Sequence, residues 1–265
     1  MKAGGGLAWL GVALAVVAAT LAAPWLVPGS PLAVNAEAQF GPPGGAYPLG
    51  ADSFGRDVLN RALWGGRASI LNAALATGVA VGGGLLVGGL AGMLGSWVDW
   101  GLMRAVDVML SMPGLLLAVA LVALLEVGDV QAALAVGISL APGFARIVRV
   151  AVIGVLQQEY VQAARALGAS RWRVFSRHVL RNIGSQVVAF AVVNFGWALL
   201  NLATLDFLGL SGSPSDPTWG RMLAEGRRYL RRAPWIALAP GLLLTTLVVA
   251  ITLTGDAWRR RLPGG

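Results

Sequence analysis

Nucleophilic and metal chemistry have almost nothing to work with in this chain. It contains no cysteine and a single histidine, His178, which stands among Arg177 and Arg181 with no acidic residue beside it to orient the ring. One imidazole without thiolates does not build a zinc-type centre. No glycine-rich loop runs into Lys-Ser or Lys-Thr, so the sequence has no phosphate cradle, and a nucleotide that supplied energy would have to sit on another polypeptide. Proton relays need ionisable groups at mid-membrane. Asp107, Arg146, Arg149 and Asp206 all fall near the ends of apolar segments, which argues against a proton-coupled carrier. Asn194 and Asn201, seven residues apart and so about two turns along one helix face, are candidates for a translocation pathway. Hydrogen bonding across helices is their alternative role.

What remains is docking. The stretch from Gln158 to Asn182 is a large basic, helix-prone surface in an otherwise apolar chain. Tyr160, Ala163, Ala164 and Leu167 recur at i, i+3, i+4 and i+7, one apolar face of a short helix. Gly168 can close that helix in the left-handed conformation, and Ser170 can cap a second. On the second helix Trp172, Phe175 and Val179 share one side, while Arg171, Arg173, Arg177 and Arg181 supply charge. Such a helix-turn-helix suits insertion into a groove on a partner protein. It equally suits an interfacial helix lying on anionic lipid.

The elements that hold these residues are membrane helices. Of the 265 residues 57% are hydrophobic and 12% charged, where soluble domains run at about 45–50% and about 25%. Apolar windows of about 20 residues, enough to cross a bilayer as helix, are read at Leu7–Val27, Ser69–Gly95, Ala105–Leu125, Val130–Val150, Gln186–Phe207 and Trp235–Trp258. The first is longer than a signal-peptide core and is read as a retained span. The expected fold is therefore all-α, a polytopic membrane protein with six transmembrane helices. With the N-terminus inside, the cytoplasmic face collects Lys2, Arg104, Arg146, Arg149, the arginines between 165 and 181, and Arg259–Arg261. That is twelve basic residues against eight outside, while four acids fall inside and eight outside. The net charge of +8 thus lies on the inner face, where it serves retention by lipid and orientation rather than nucleic-acid binding.

One membrane domain is the economical division: 1–68 for the first span and an external loop, 69–258 for a core of five spans with a cytoplasmic loop at about 151–185, and 259–265 for a tail. The external loop is Pro/Gly-rich around Pro42–Pro48 and then amphipathic at Gly50–Arg61, which predicts a short helix on the membrane surface. Gly84, Gly88 and Gly92 lie on one face of the second span, for packing inside the chain or against a second membrane subunit. Pro113 and Gly114 predict a static kink in the third span, with a bend at a gate as the alternative.

Several ordered motifs carry a resemblance. Gln162-Ala-Ala-Arg-Ala-Leu-Gly168, nine residues, then His178-Val-Leu-Arg181 resembles the Glu-Ala-Ala loop of ABC importer permeases, with Gln162 in place of the glutamate and Arg181 in place of the closing proline. The missing proline predicts a less interrupted helix into span five. Tyr47–Leu59, Arg104–Leu117, Phe207–Leu210, Pro217–Leu223, Ala233–Trp235 and Gly255–Asp256 are similar to the "C" permease subunit of dipeptide, oligopeptide and nickel importers. The resemblance spans about residues 45–260. It implies a type I importer permease fold in a bacterial or archaeal cytoplasmic membrane, with both termini cytoplasmic. Implied partners are a homologous "B" permease, two cytoplasmic ATPases that carry ATP and magnesium, an external solute-binding protein, and membrane lipid. No cofactor is implied on this chain, which would be non-catalytic. Tyr160, Gln162, Ala163, Ala164, Arg165, Leu167, Gly168 and Ala169 would form the loop that couples to an ATPase. Peptides are the expected cargo, with nickel or another small solute as the alternative. A stand-alone secondary transporter or channel would need an inverted repeat or a mid-membrane charge pair, and the sequence displays neither.

Overall fold

The computed structural model describes residues 4–213 and 215–259, and the regular structure there is helical. Lys2, Arg260 and Arg261, and with them all but the first residue of the expected tail, lie outside the described residues. Helix α1, Gly4–Leu21, gives way at Ala22 to a short α2, Ala23–Leu26. Pro24 has no N–H to extend the helical ladder, and the hydroxyl of Thr20 turns back to the carbonyls of Val16 and Val17.

The surface helix expected at Gly50–Arg61 does not form. Residues 50–57 make a tight turn around Asp52, whose carboxylate accepts the N–H groups of Phe54 at 2.8 Å and Arg56 at 3.0 Å. Gly55 holds φ +72° in this turn, where a Cβ would collide with the Asn35 carbonyl. Helix α3 then starts at Val58 and runs unbroken to Leu94, its first turn capped by the Asp57 carboxylate on Leu59 N–H. Its 37 residues extend about 55 Å, well beyond a hydrocarbon layer of about 30 Å. One continuous helix thus replaces the expected surface helix and second span, and a boundary at residue 68 falls inside it.

The third span is also different. Helix α4, Ser96–Leu110, and helix α5, Gly114–Leu125, meet at 95°. Pro113 disfavours helical geometry at Met112, and Ser111 caps the end of α4 through the Val108 carbonyl. The expected kink is a right-angled break. Helix α6, Asp129–Leu156, follows, then α7, Glu159–Ala166, and α8, Arg171–Val174. A π turn, Phe175–Val179, joins α8 to α9, Leu180–Phe207. Together they form an apolar helical run from Arg171 to Phe207. As expected from Arg181, no break separates the loop from span five. Helices α10, Trp219–Gly226, and α11, Trp235–Arg259, complete the described chain.

Among the described residues four helical runs are each long and apolar enough to cross a membrane, and the bent α4–α5 pair makes a fifth if it counts as one span. The buried apolar residues form three layers. The central layer joins α1, α3, α5, α6, α9 and α11 through Ile70, Val122, Val136, Leu199 and Leu247. At one end Val58, Ala62, Met222 and Ile236 pack the start of α3 against α10 and α11. At the other, Val148, Val152, Val161, Val174, Val179 and Ile183 seat α7 and α8 on α6 and α9.

Candidate functional site

The hairpin of α7 and α8 stands at one end of the bundle and is fixed there by a few buried branched side chains. Val161 and Val174, one on each helix, are fully buried. Gln162 donates its amide N–H to the Gln157 carbonyl at 3.3 Å, and Ser170 accepts the N–H of Arg173 at 3.3 Å as the cap of α8. Gly168 sits at φ +86°. Its N–H bonds the Arg165 carbonyl and the Ala169 N–H bonds the Ala164 carbonyl, the paired bonds of a Schellman motif.

With Val161 turned inward, the expected ridge faces outward. Tyr160 is half exposed, Ala163 is exposed, Ala164 is partly covered, and Leu167 is 89% exposed. Gln162 and Arg165 are exposed, while Ala169 packs into the layer beneath. An exposed leucine on a capped, anchored helix presents apolar surface that the chain itself leaves uncovered. Val161, the anchor, escaped the sequence reading. It is the one β-branched residue in the helix, offset by one position from the ridge.

Asn194 is buried and Asn201 partly covered, and each donates its amide N–H to a carbonyl four residues back, Phe190 and Trp197. Neither amide reaches across to another helix through that donor. Gly84, Gly88 and Gly92 face α6, where a Cβ would meet Phe144, the Ala145 carbonyl and Val152 respectively. They serve packing inside the chain.

The end opposite the hairpin holds two ion clusters that sequence reasoning missed. Asp52 pairs with Arg56 at 2.6 Å and lies 3.4 Å from Arg61, and Glu225 of α10 accepts from Arg61 at 3.0 Å and Arg56 at 3.2 Å. Arg221 pairs with Asp129 at 2.5 Å and stands 3.6 Å from Asp206, which also accepts the Ser211 hydroxyl. Nothing in the sequence indicated which of the acids would meet which arginine. Toward the hairpin, Arg149 grips Asp99 with two nitrogens and Arg146 meets Asp107 at 2.6 Å, tying α4 to α6. The ion pairs among the described residues thus lie in the end opposite the hairpin or between α4 and the hairpin-side half of α6.

Apolar helices of spanning length, a basic hairpin held out at one end and charge confined toward the ends define a multi-pass helical membrane protein. Residues 84–263 match the model of the binding-protein-dependent transport system inner membrane component family, and the chain belongs to that family. It is similar, at 38% identity over 96% of its length and 85% of the relative's, to the di/tripeptide transport system permease protein DppC of Pseudomonas aeruginosa. It is 36% identical to the probable D,D-dipeptide transport system permease protein DdpC of Escherichia coli, covering 89% of this chain and 79% of the relative. The glutathione transport system permease protein GsiD of Pectobacterium atrosepticum shares 38% over 82% of this chain and 72% of its own.

Proposed function

We propose that the chain is the "C"-type permease subunit of an ATP-driven importer of di- or oligopeptides. It forms half of a pathway with a homologous permease and couples that pathway to two cytoplasmic ATPases through the α7 hairpin, with an external binding protein delivering cargo. The single observation that carries the reading is the outward ridge of Tyr160, Ala163 and Leu167 above the buried Val161. A rigid platform with a small apolar ridge is what docking into a groove requires. The peptide cargo rests on the names of the relatives.

In this reading α1 and α2, joined at Ala22, whose N–H bonds the Ala18 carbonyl and whose carbonyl accepts the Leu26 N–H, make the first of six spans, α4–α5 is a broken third, and both termini are cytoplasmic. Because the chain has no cysteine, Leu167→Cys gives a single reporter. Maleimide should label it in inverted vesicles and leave it untouched in intact cells; labelling in intact cells ends the orientation and the docking together. Import of a labelled dipeptide by cells bearing the whole system, lost on deletion of this subunit, tests the cargo. Normal dipeptide import after deletion removes the peptide reading.

A further inference from the structure

Beside the hairpin, an apolar cleft of about 240 Å³ opens between the end of α3 and the start of α8, with no residue of α7 in its lining. Its walls include Leu85, Leu86, Leu90 and Met93 of α3 with Trp172 and Phe175. Gly89 lets the Phe175 ring in, since a Cβ there would lie 3.2 Å from it. Arg171 is the one charged side chain in the lining. None of the ion pairs among the described residues involves Arg171, Arg173, Arg177 or Arg181.

The depth of the cleft follows from its neighbours. Immediately after Leu94, Trp97 and Trp100 are 83% and 61% exposed, and the Arg104 guanidinium lies 5.8 Å from the Trp100 ring. Exposed Trp beside Arg marks the headgroup level of a membrane. The cleft therefore runs from that level toward the hydrocarbon, and the exposed Leu86 and Leu90 turn toward whatever surrounds the bundle.

We propose that this cleft binds one anionic phospholipid of the cytoplasmic leaflet, its acyl chain among Leu86, Leu90 and Phe175 and its phosphate on Arg171. One unanswered guanidinium at the headgroup end of an apolar slot matches an amphiphile with a single negative charge above a hydrocarbon chain. A helix of a second permease subunit would cover the leucines but would have to bring a carboxylate for Arg171. The lipid would brace α8, and with it the docking hairpin, against α3. The inference uses the orientation proposed above and is independent of the cargo.

The test is lipid retention by the assembled transporter in nanodiscs containing phosphatidylglycerol and phosphatidylethanolamine, read by native mass spectrometry. Retained phosphatidylglycerol should exceed phosphatidylethanolamine and fall about fivefold in Arg171→Gln, the loss expected for one arginine at an anionic surface. Leu86→Trp, at a position 63% exposed and so harmless to folding, should fill the slot and reduce retention as well. Equal retention of both lipids, or unchanged retention in both variants, overturns the proposal. So does a photo-crosslinker at Leu86 whose adducts form on a protein subunit instead of on lipid. Peptide uptake enters none of these readouts, so a wrong cargo would leave them unaffected.

Discussion

Arg61 is sealed from solvent at 1% exposure, so its charge must be answered from within the chain. Glu225, 164 residues away in sequence, supplies two of the answering contacts, and Asp52 a weaker one. Removing one member of a buried pair strands the other, at about 3–5 kcal/mol. Glu225→Ala should destabilise by about 3 kcal/mol, the low end of that range because Asp52 remains. The check is a melting temperature several degrees below wild type in detergent; an unchanged value contradicts the role. Gly168 is the opposite case. A Cβ there meets nothing within the chain, and only the positive φ resists a side chain. Asp tolerates the left-handed region better than most residues, so Gly168→Asp should reach the membrane at normal abundance and yet abolish uptake, because its carboxylate obstructs docking. Wild-type uptake at wild-type abundance refutes the docking role. The turn at Gly168 was legible because a glycine between a helical repeat and a serine cap has few other uses. The Arg61–Glu225 pair was not, since a chain with nineteen arginines offers no rule for matching charges across such distances.

Helix existence was easier to read than helix extent. The second span was expected from Ser69, but α3 begins eleven residues earlier, at Val58, because Asp57 caps it and the polar first turns find partners in α10. Hydropathy detects the part of a helix that lies in hydrocarbon and is blind to the part that stands outside it. The same blindness hid the first part of α4, where Asp99 and Arg104 dilute the apolar signal although the helix is regular; the expected span began only at Ala105. Glycine spacing did indicate a close helix contact on one face of α3, though not that α6 would be the partner. At Gly88 a Cβ would come within 2.2 Å of the Ala145 carbonyl, whereas Gly78 on the same helix has open space. Gly88→Val should therefore cost several kcal/mol through overpacking and reduce membrane abundance severely, with Gly78→Ala close to neutral. Quantitative immunoblots of both variants decide this, and equal abundance would remove the close-packing account.

For the whole molecule, three buried apolar layers divide the work: a central bundle, a layer flanked by ion pairs at one end and the hairpin seat at the other. In the proposed reading the nucleotide sits on separate ATPases. The purified chain alone should hydrolyse no ATP above background, and robust intrinsic hydrolysis would end the multi-subunit reading. The run from Arg171 to Phe207 is the one element that begins in the hairpin and ends at the Asp206–Arg221 cluster. Its 37 residues span about 55 Å. Helical hydrogen bonding continues through it, with one π turn, Phe175–Val179, near its start. In the proposed docking, a push on the α7 ridge would pass through the turn at Gly168 into α8 and along this run to the Asp206–Arg221 cluster, so that motion at one end of the bundle and grip at the other would be linked through one helix.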